Sequence, residues 1–289
     1  MSAILCKCRS PLLDGRRPGQ LKNYSRSKDE VVFSGIFVDP KRNAPAWVQD
    51  REKLWNAASA AEKRKDAREA QEIILNLPHE LTDEQRRFML TDFVREPITR
   101  GTGRIADVNM HAAHKHGDDR NIHAHVLMTV REIGPEGFDG KRLEADTKQV
   151  LHWKQKWAER GAKELRKAGF EIEADRWAVG YMDLPKQREE ALKRGDLAYA
   201  ETLNREATKH LGPNVASMER KGIETDRGNA HREIQQRNEQ ARANNAALKR
   251  ELAEIQGSLW FHAANEFSRI LVVPIHSIHF PKNFPATAV

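Results

Sequence analysis

The stretch RNIHAHVLM, residues 120–128, decides the fold, because its two histidines alternate with apolar residues. Alternation is typical of a β-strand, in which every second side chain lies on the same face of the sheet. His123 and His125 are therefore predicted to project together, while the alanine, valine and methionine between and after them face the protein interior. Two imidazoles placed in this way can share a divalent cation through their ring nitrogens.

A third ligand is predicted just upstream, in RIADVNMH, residues 104–111. This segment is predicted to form the other strand of a hairpin, which would place His111 beside the histidine pair. His114 and His116 of the connecting loop are alternative ligands. Three imidazoles leave coordination positions open, as a catalytic metal requires. An isolated pair of this kind is commonly a surface accident, but five histidines within fifteen positions favour a metal site. Three carboxylates near the histidines in the sequence are expected to orient the ligands through hydrogen bonds: Asp107, Asp118 and Asp119.

The rest of the first half mixes strand and helix patterns. NAPAWVQDREKLW is predicted to begin a helix, with Asn43 as its cap and Pro45 in its first turn. Thr82 followed by Gln85 three residues later is a capping-box pattern that predicts a second helix, with Phe88, Met89 and Phe93 at helical spacing. Further strands are predicted in LKNYSRSKDEVVFSGIFV, residues 21–38, and in EIILNLP, residues 72–78. The order predicts an α+β fold with a mostly antiparallel sheet and flanking helices.

The character of the chain changes after Thr147. The sequence predicts three parts: an α+β catalytic domain over residues 1–147, a helical C-terminal extension over 148–256 and an atypical tail over 257–289. Trp153 and Trp157 are four residues apart on the first helix of the extension, so we expect them in a core rather than stacked on nucleic-acid bases.

Composition limits the classes of function. The formal net charge of +7 over 289 residues favours a polyanionic partner such as nucleic acid. No apolar run approaches the roughly 20 residues that a membrane helix needs, and the first residues lack the apolar core of a secretory signal, so we expect a cytoplasmic protein without a membrane partner. The two cysteines, Cys6 and Cys8, are too close for an easy disulfide and too few for a thiolate zinc site.

DDRNIHAHVLMTVREIGPEGF, residues 118–138, resembles the third motif of the MobA/MobL relaxases, the plasmid-mobilisation nickases of the histidine–hydrophobe–histidine endonuclease superfamily. Further segments across about residues 19–235 are similar to the same family, among them LPHELTDEQRRFMLTDFVRE and HLGPNVASMERKGI. The resemblance implies a metal-dependent transesterification. A tyrosine hydroxyl attacks a phosphodiester in single-stranded DNA at a transfer origin, which forms a 5′-phosphotyrosyl intermediate and releases a 3′-OH.

Carried over to this chain, the resemblance implies that His111, His123 and His125 hold Mg²⁺ or Mn²⁺, which polarises the scissile phosphate. Ile122 stands where the family often has proline. Glu72 falls on a strand where the family keeps an acidic residue, so it is a candidate base or orienting group. Single-stranded DNA at a plasmid transfer origin is the implied partner, together with other mobilisation proteins.

The nucleophile of the family is a tyrosine near the N-terminus, and Cys8 occupies the place where it would be expected. Tyr24 is the remaining candidate for attack, whereas Tyr181 and Tyr199 are expected to be packing residues. Two explanations fit this pattern: the start of the chain is truncated or frame-shifted and the protein is inactive, or another residue attacks. We favour the first, because a cysteine is a poor substitute in phosphodiester attack.

A basic surface for a single strand is predicted around the histidines. The residues expected to contact DNA are Arg26, Lys115, Arg120 and Arg131. A relaxase domain is therefore the first hypothesis from the sequence. A non-catalytic metal- and DNA-binding accessory protein is the second, and a helical interaction protein with an incidental histidine cluster is the third.

Overall fold

The computed structural model describes residues 4–9, 30–62, 67, 70–113, 119–142, 146–208 and 211–270. The chain divides into two compact units, Met1–Asn204 and Arg205–Val289. The first unit contains a β-sheet with helices and carries all of the described histidines between 111 and 125. Within the described residues, no helix is both long enough and apolar enough to cross a membrane.

Five of the described strands form one sheet in the order β1-β3-β5-β4-β2, and every neighbouring pair is antiparallel. A separate hairpin pairs β6 with β7. The strands are β1 (Ile4–Arg9), β2 (Val31–Phe37), β3 (Ala70–Asn76), β4 (Ala106–His111), β5 (His123–Thr129), β6 (Arg131–Gly134) and β7 (Gly137–Arg142).

The described helices flank the sheet or follow it along the chain. They are α1 (Arg51–Ala60), α2 (Asp83–Phe93), α3 (Thr147–Lys167), α4 (Glu171–Ala178), α5 (Leu184–Lys193), α6 (Leu197–Thr202), α7 (Pro213–Arg220) and α8 (Asp226–Ile270). A 3-10 helix over Ala46–Gln49 precedes α1, and a π-helical turn over Val94–Thr99 follows α2. The predicted fold class, an antiparallel α+β domain followed by helices, is confirmed.

The main core lies on one face of the sheet. The inward residues of β3, β4 and β5 alternate along each strand and pack with α2 and α3. Trp153 and Trp157 of α3 are fully buried here, as their spacing predicted. Their indole N–H groups donate to the backbone carbonyls of Pro97 and Asn76, at 3.2 and 3.1 Å, so the rings are buried without a lost hydrogen bond.

Close packing also explains a glycine inside α3. A Cβ atom at Gly161 would lie 2.6 Å from Cε3 of Trp177 on α4, which is closer than real Cβ atoms approach. Glycine costs about 1 kcal/mol relative to alanine inside a helix. We infer that the close approach of α4 to α3 outweighs this cost.

The capping predictions had different outcomes. The capping box of α2 is confirmed, since the Thr82 hydroxyl accepts from the Gln85 amide and the Gln85 side chain accepts from the Thr82 amide. Met89 and Phe93 of the same helix are buried, whereas Phe88 is 55% exposed. Asn43 does not cap a helix start: it ends a 3-10 turn with φ of 47°, and Asp50 caps α1 instead.

The opposite face of the sheet carries the candidate site, and we call it the histidine face. One half is covered by α1 and the preceding 3-10 helix, which pack a smaller core around Leu54, Trp55 and Leu127. Asp107 and Asn109 lie at the border of this small core, on the same face. The histidines of β4 and β5 lie in the other half, beyond this border.

Two observations bear on the predicted division at residue 147. The helix α3 belongs to the main core of the sheet, and the first compact unit continues to Asn204. In the second unit, the buried Asn238 of α8 binds the backbone of Glu206. Its Oδ1 accepts from the Glu206 amide at 2.8 Å, and its Nδ2 donates to the Glu206 carbonyl at 3.0 Å. The tail from residue 271 lies outside the described residues, and the three-part division stays a prediction.

Candidate metal centre

The three predicted ligands come together on the histidine face. His111 ends β4 and pairs in register with His123, the first residue of β5, as the hairpin prediction required. The centroids of the three imidazole rings are 5.2 to 5.6 Å apart. An ion bound at about 2.1 Å from each nitrogen would place ring centroids roughly 4.5–5.5 Å apart. The ring separation is therefore of the size that a shared cation needs.

Hydrogen bonds fix the inner nitrogens of two rings. His125 Nδ1 is 2.8 Å from Oε1 of Glu72, a carboxylate that is 0% exposed on the neighbouring strand β3. His123 Nδ1 is 3.0 Å from the backbone carbonyl of Asn121, which can only accept, so this nitrogen carries the hydrogen. A histidine whose Nδ1–H is bound in this way presents Nε2 as the ligand, and a carboxylate partner raises its basicity.

The rings do not yet converge on one point. His111 and His123 are stacked with only 19° between their planes, and a cation cannot lie in the planes of two stacked, nearly parallel rings at once. Among the described residues, no group of three or more His, Cys, Asp or Glu side chains is arranged to hold a metal ion. The donor type and spacing fit a divalent cation, and the orientation requires a ring rotation at His111 or His123.

Asp107 has a different role from the one the sequence suggested. Its oxygens accept from both Nε and Nη2 of Arg51 at 2.8 Å, from Trp55 Nε1 at 3.0 Å and from Asn109 Nδ2 at 3.1 Å. The expectation that Asp107 orients a histidine is therefore wrong. It ties the start of α1 to β4, and Arg51 is the residue near the site that the sequence analysis missed.

Of the four predicted DNA-contacting residues, the structure describes Arg120 and Arg131, which lie near opposite ends of β5. Arg131 lies past the far end of β5, six residues from His125 and so roughly 20 Å away along an extended chain. Its Nε and Nη2 donate to the carboxylate of Glu62 at 2.8 and 3.2 Å. Arg120 lies in an exposed turn close to the start of β5. Arg26 and Lys115 fall outside the described residues, as do the alternative ligands His114 and His116 and the candidate orienting residue Asp118.

The described tyrosines belong to the helical part of the first unit. Tyr199 of α6 packs with Ala191 and Leu203, and the Arg176 guanidinium lies 4.8 Å from its ring centroid. Tyr181 follows α4 in a turn and is partly buried. Tyr24, the candidate nucleophile, lies outside the described residues. Cys8 lies on β1 opposite Gln71 of β3. The neighbouring residues opposite each other on these two strands are Lys7 and Glu72.

With this geometry in place, comparison with known proteins identifies the family. The model of the MobA/MobL family matches residues 7–221, which include strands β2 to β7, the second half of β1 and the helices through α7. The chain belongs to the MobA/MobL family. The resemblance of the histidine motif is thus confirmed across most of the sequence.

Relatives of this MobA/MobL chain carry transfer and mobilisation names. Conjugal transfer protein TraA of Rhizobium radiobacter is 28% identical over 278 residues, which cover 86% of this chain and 24% of that protein. Mobilization protein MobL of Acidithiobacillus ferridurans is 29% identical over 273 residues, which cover 84% of this chain and 66% of that protein. The chain therefore spans between about a quarter and two thirds of the length of these two relatives.

A solved structure is also similar. A chain of "Molecular Basis of Vancomycin Resistance Transfer in Staphylococcus aureus" is 30% identical and matches with a TM-score of 0.42, covering 49% of this MobA/MobL chain and 73% of that one.

Proposed function

We propose that this MobA/MobL chain is a metal-dependent relaxase of plasmid mobilisation, which cleaves one DNA strand at a transfer origin. The observation that carries the proposal is the cluster of His111, His123 and His125 on one face of the sheet, with a buried carboxylate behind His125. The names of the relatives, conjugal transfer and mobilisation proteins, support the same assignment.

His111, His123 and His125 are the residues assigned to a divalent cation, Mg²⁺ or Mn²⁺. When bound, the cation supplies positive charge that polarises a phosphodiester and offsets the charge that develops during its displacement. Glu72 holds the ring of His125 through Nδ1, and the carbonyl of Asn121 holds that of His123. We therefore assign Glu72 to positioning His125 rather than to proton abstraction.

Attack on the phosphodiester is assigned to a tyrosine hydroxyl, for which Tyr24 is the candidate in this chain. The new bond joins the tyrosine oxygen to phosphorus, and the bond from phosphorus to the 3′ oxygen breaks. The tyrosine hydroxyl gives up its proton and the departing 3′ oxygen takes one up, which leaves a 3′-OH on the released strand. Single-stranded DNA is the substrate in this proposal, because the resemblance to the MobA/MobL relaxases implies attack on one strand at a transfer origin.

A non-catalytic metal- and DNA-binding protein is the second candidate. It is favoured by the surroundings of Tyr199, which packs in the helical region under Arg176. Cys8, at the position where the family resemblance places tyrosine, is on β1 beside β3. If Tyr24 does not attack, the histidines would still hold a cation and the chain would bind its origin without cutting it.

A nicking assay separates the two candidates. Supercoiled plasmid carrying the cognate origin is incubated with the chain and Mn²⁺, and the products are separated by gel electrophoresis with and without protease. The relaxase proposal predicts relaxed circles and a covalent protein–DNA adduct, both lost in His123→Ala/His125→Ala and in Tyr24→Phe. Intact supercoiled plasmid with bound protein would contradict it and support the second candidate.

Metal binding is measured independently of cleavage. Titration with Mn²⁺, followed by electron paramagnetic resonance, is expected to show one site that is lost in His123→Ala/His125→Ala. The matched control is His79→Ala/His152→Ala, which removes two exposed histidines elsewhere in the first unit. If both double variants bound Mn²⁺ with equal affinity, the proposed histidine centre would be contradicted. The relaxase proposal and the non-catalytic metal-binding alternative would then both fail.

A further inference from the structure

A partly buried arginine near the histidines has one guanidinium nitrogen that donates to no acceptor among the described residues. Arg51, the first residue of α1, donates from Nε and Nη2 to the two oxygens of Asp107, at 2.8 Å each. Nη2 also donates to the Ser34 hydroxyl at 2.8 Å. Among the described residues Nη1 has no acceptor, and the Arg51 side chain is 25% exposed whereas that of Asp107 is 4% exposed.

The position of this guanidinium is fixed by a closed ring of hydrogen bonds. Asp107 also accepts from Trp55 Nε1 and from Asn109 Nδ2, and Asn109 accepts from the Ser34 hydroxyl at 2.9 Å. The ring joins α1 to β2 and β4. A side chain held in this way has already lost its rotational freedom, so binding a ligand costs it little further entropy.

The ring lies next to the candidate metal centre on the same face. Asn109 pairs in register with His125, and Asp107 lies two residues further along β4, which is roughly 7 Å away. Phosphates of one DNA strand are about 3.4 Å apart along a duplex axis and roughly twice as far apart in an extended strand. Arg51 is thus about one or two nucleotides from a phosphate at the histidines.

We propose that Arg51 binds a backbone phosphate of single-stranded DNA through Nη1, with Asp107 as its positioning residue. The inference rests on the proposed function, because it places the strand across the histidine face. Asp107 neutralises most of the charge of Arg51, so the contact depends on directed N–H groups rather than on net charge. Arginine alone can bind a carboxylate with one side of its planar group and a phosphate with another.

The test removes the phosphate contact without leaving a buried charge. Removing one partner of a buried ion pair is strongly destabilising, so both are changed, in Arg51→Gln/Asp107→Asn. This double variant keeps the net charge of the chain and can keep a neutral hydrogen bond. Its affinity for a fluorescein-labelled, mixed-sequence single-stranded oligodeoxynucleotide is expected to fall about tenfold. Arg51→Lys, which keeps the positive charge, is expected to lose most of the same affinity.

The matched control is a second pair with the same geometry. Arg176 donates from Nε and Nη2 to the two oxygens of Asp196 in the helical region. Arg176→Gln/Asp196→Asn is expected to bind the oligonucleotide as tightly as the unchanged chain. Equal binding by Arg51→Gln/Asp107→Asn, or equal weakening by the control, would overturn the role of Arg51. Failure of the unchanged chain to bind any single strand would instead overturn the proposed function.

Discussion

At the scale of single residues, Glu72 is the group whose role is most directly testable. A fully buried carboxylate is costly unless it is bonded, and its Oε1 lies 2.8 Å from His125 Nδ1. Loss of the carboxylate partner of a metal-binding histidine typically lowers metal affinity by about 10- to 100-fold. We expect a fall of this size for Mn²⁺ binding in Glu72→Ala, measured by isothermal titration calorimetry.

The control for that change is Glu164→Ala. Glu164 is also largely buried, but it lies on α3 and pairs with Lys167 at 2.8 Å. It is expected to lower thermal stability while leaving Mn²⁺ affinity unchanged. Equal affinities in the unchanged chain and Glu72→Ala would show that Glu72 stabilises β3 rather than the ligand.

The same residues show what sequence could predict at this scale. His123 and His125 follow from strand alternation, and His111 follows from a hairpin of neighbouring strands. The contact between Glu72 and His125 could not be predicted, because it depends on the register of β3 and β5, which are far apart in sequence. Arg51 did leave a signal: it precedes Trp55 by four residues, so both face Asp107 from one side of α1.

At the scale of elements, local chemistry predicted helix starts only where it was unambiguous. The Thr82 and Gln85 pair satisfies two backbone groups at once, and α2 begins there. Asn43 and Asp50 are both acceptable caps by residue type. Only the backbone decides between them: Asn43 is in the left-handed region, and the Asp50 carboxylate accepts from the amides of Glu52 and Lys53.

The ion pair between Arg176 of α4 and Asp196, which caps α6, is expected to make the stability of the fold depend on pH. Hydrogen bonds from Arg176 are the main cause that lowers the pKa of Asp196 below its ordinary value. A carboxylate with a lowered pKa in the folded state adds stability above its unfolded pKa, and this contribution is lost as the pH falls through the folded value. The stability difference between the unchanged chain and Asp196→Asn should therefore be constant near neutral pH and shrink below about pH 4.

Chemical denaturation at a series of pH values measures this difference. Arg176→Gln removes the main cause of the shift and should show the same pattern against the unchanged chain, with its difference also shrinking in acid. A difference that stays constant down to acid pH in both variants would mean that the ion pair adds nothing beyond packing. Arg176 is 34% exposed at its side chain, so we expect a modest effect.

At the scale of the whole molecule, the class of fold predicted from the sequence is confirmed, whereas the boundary at residue 147 stays a prediction. The apolar stripe of α3 showed that one side of the helix is buried, but a stripe does not say against which surface. The sequence analysis assigned α3 to the helical C-terminal extension, and in the structure its tryptophans pack against the sheet and α2. The spacing of apolar residues shows which side of a single helix is buried. Which element covers that side depends on contacts between residues that are far apart in the sequence.

Two shortened chains test where the folding unit ends. Loss of a buried tryptophan costs about 3–5 kcal/mol, and the whole stability of a domain is about 5–15 kcal/mol. A chain ending at Thr147 lacks the buried Trp153 and Trp157, so we expect no cooperative thermal transition by circular dichroism. A chain ending at Asn204 keeps the first compact unit and should unfold cooperatively and bind Mn²⁺ as the full chain does. Cooperative unfolding of the shorter chain would instead support the boundary at residue 147, and it would mean that the tryptophans of α3 cover a core that the preceding elements already complete.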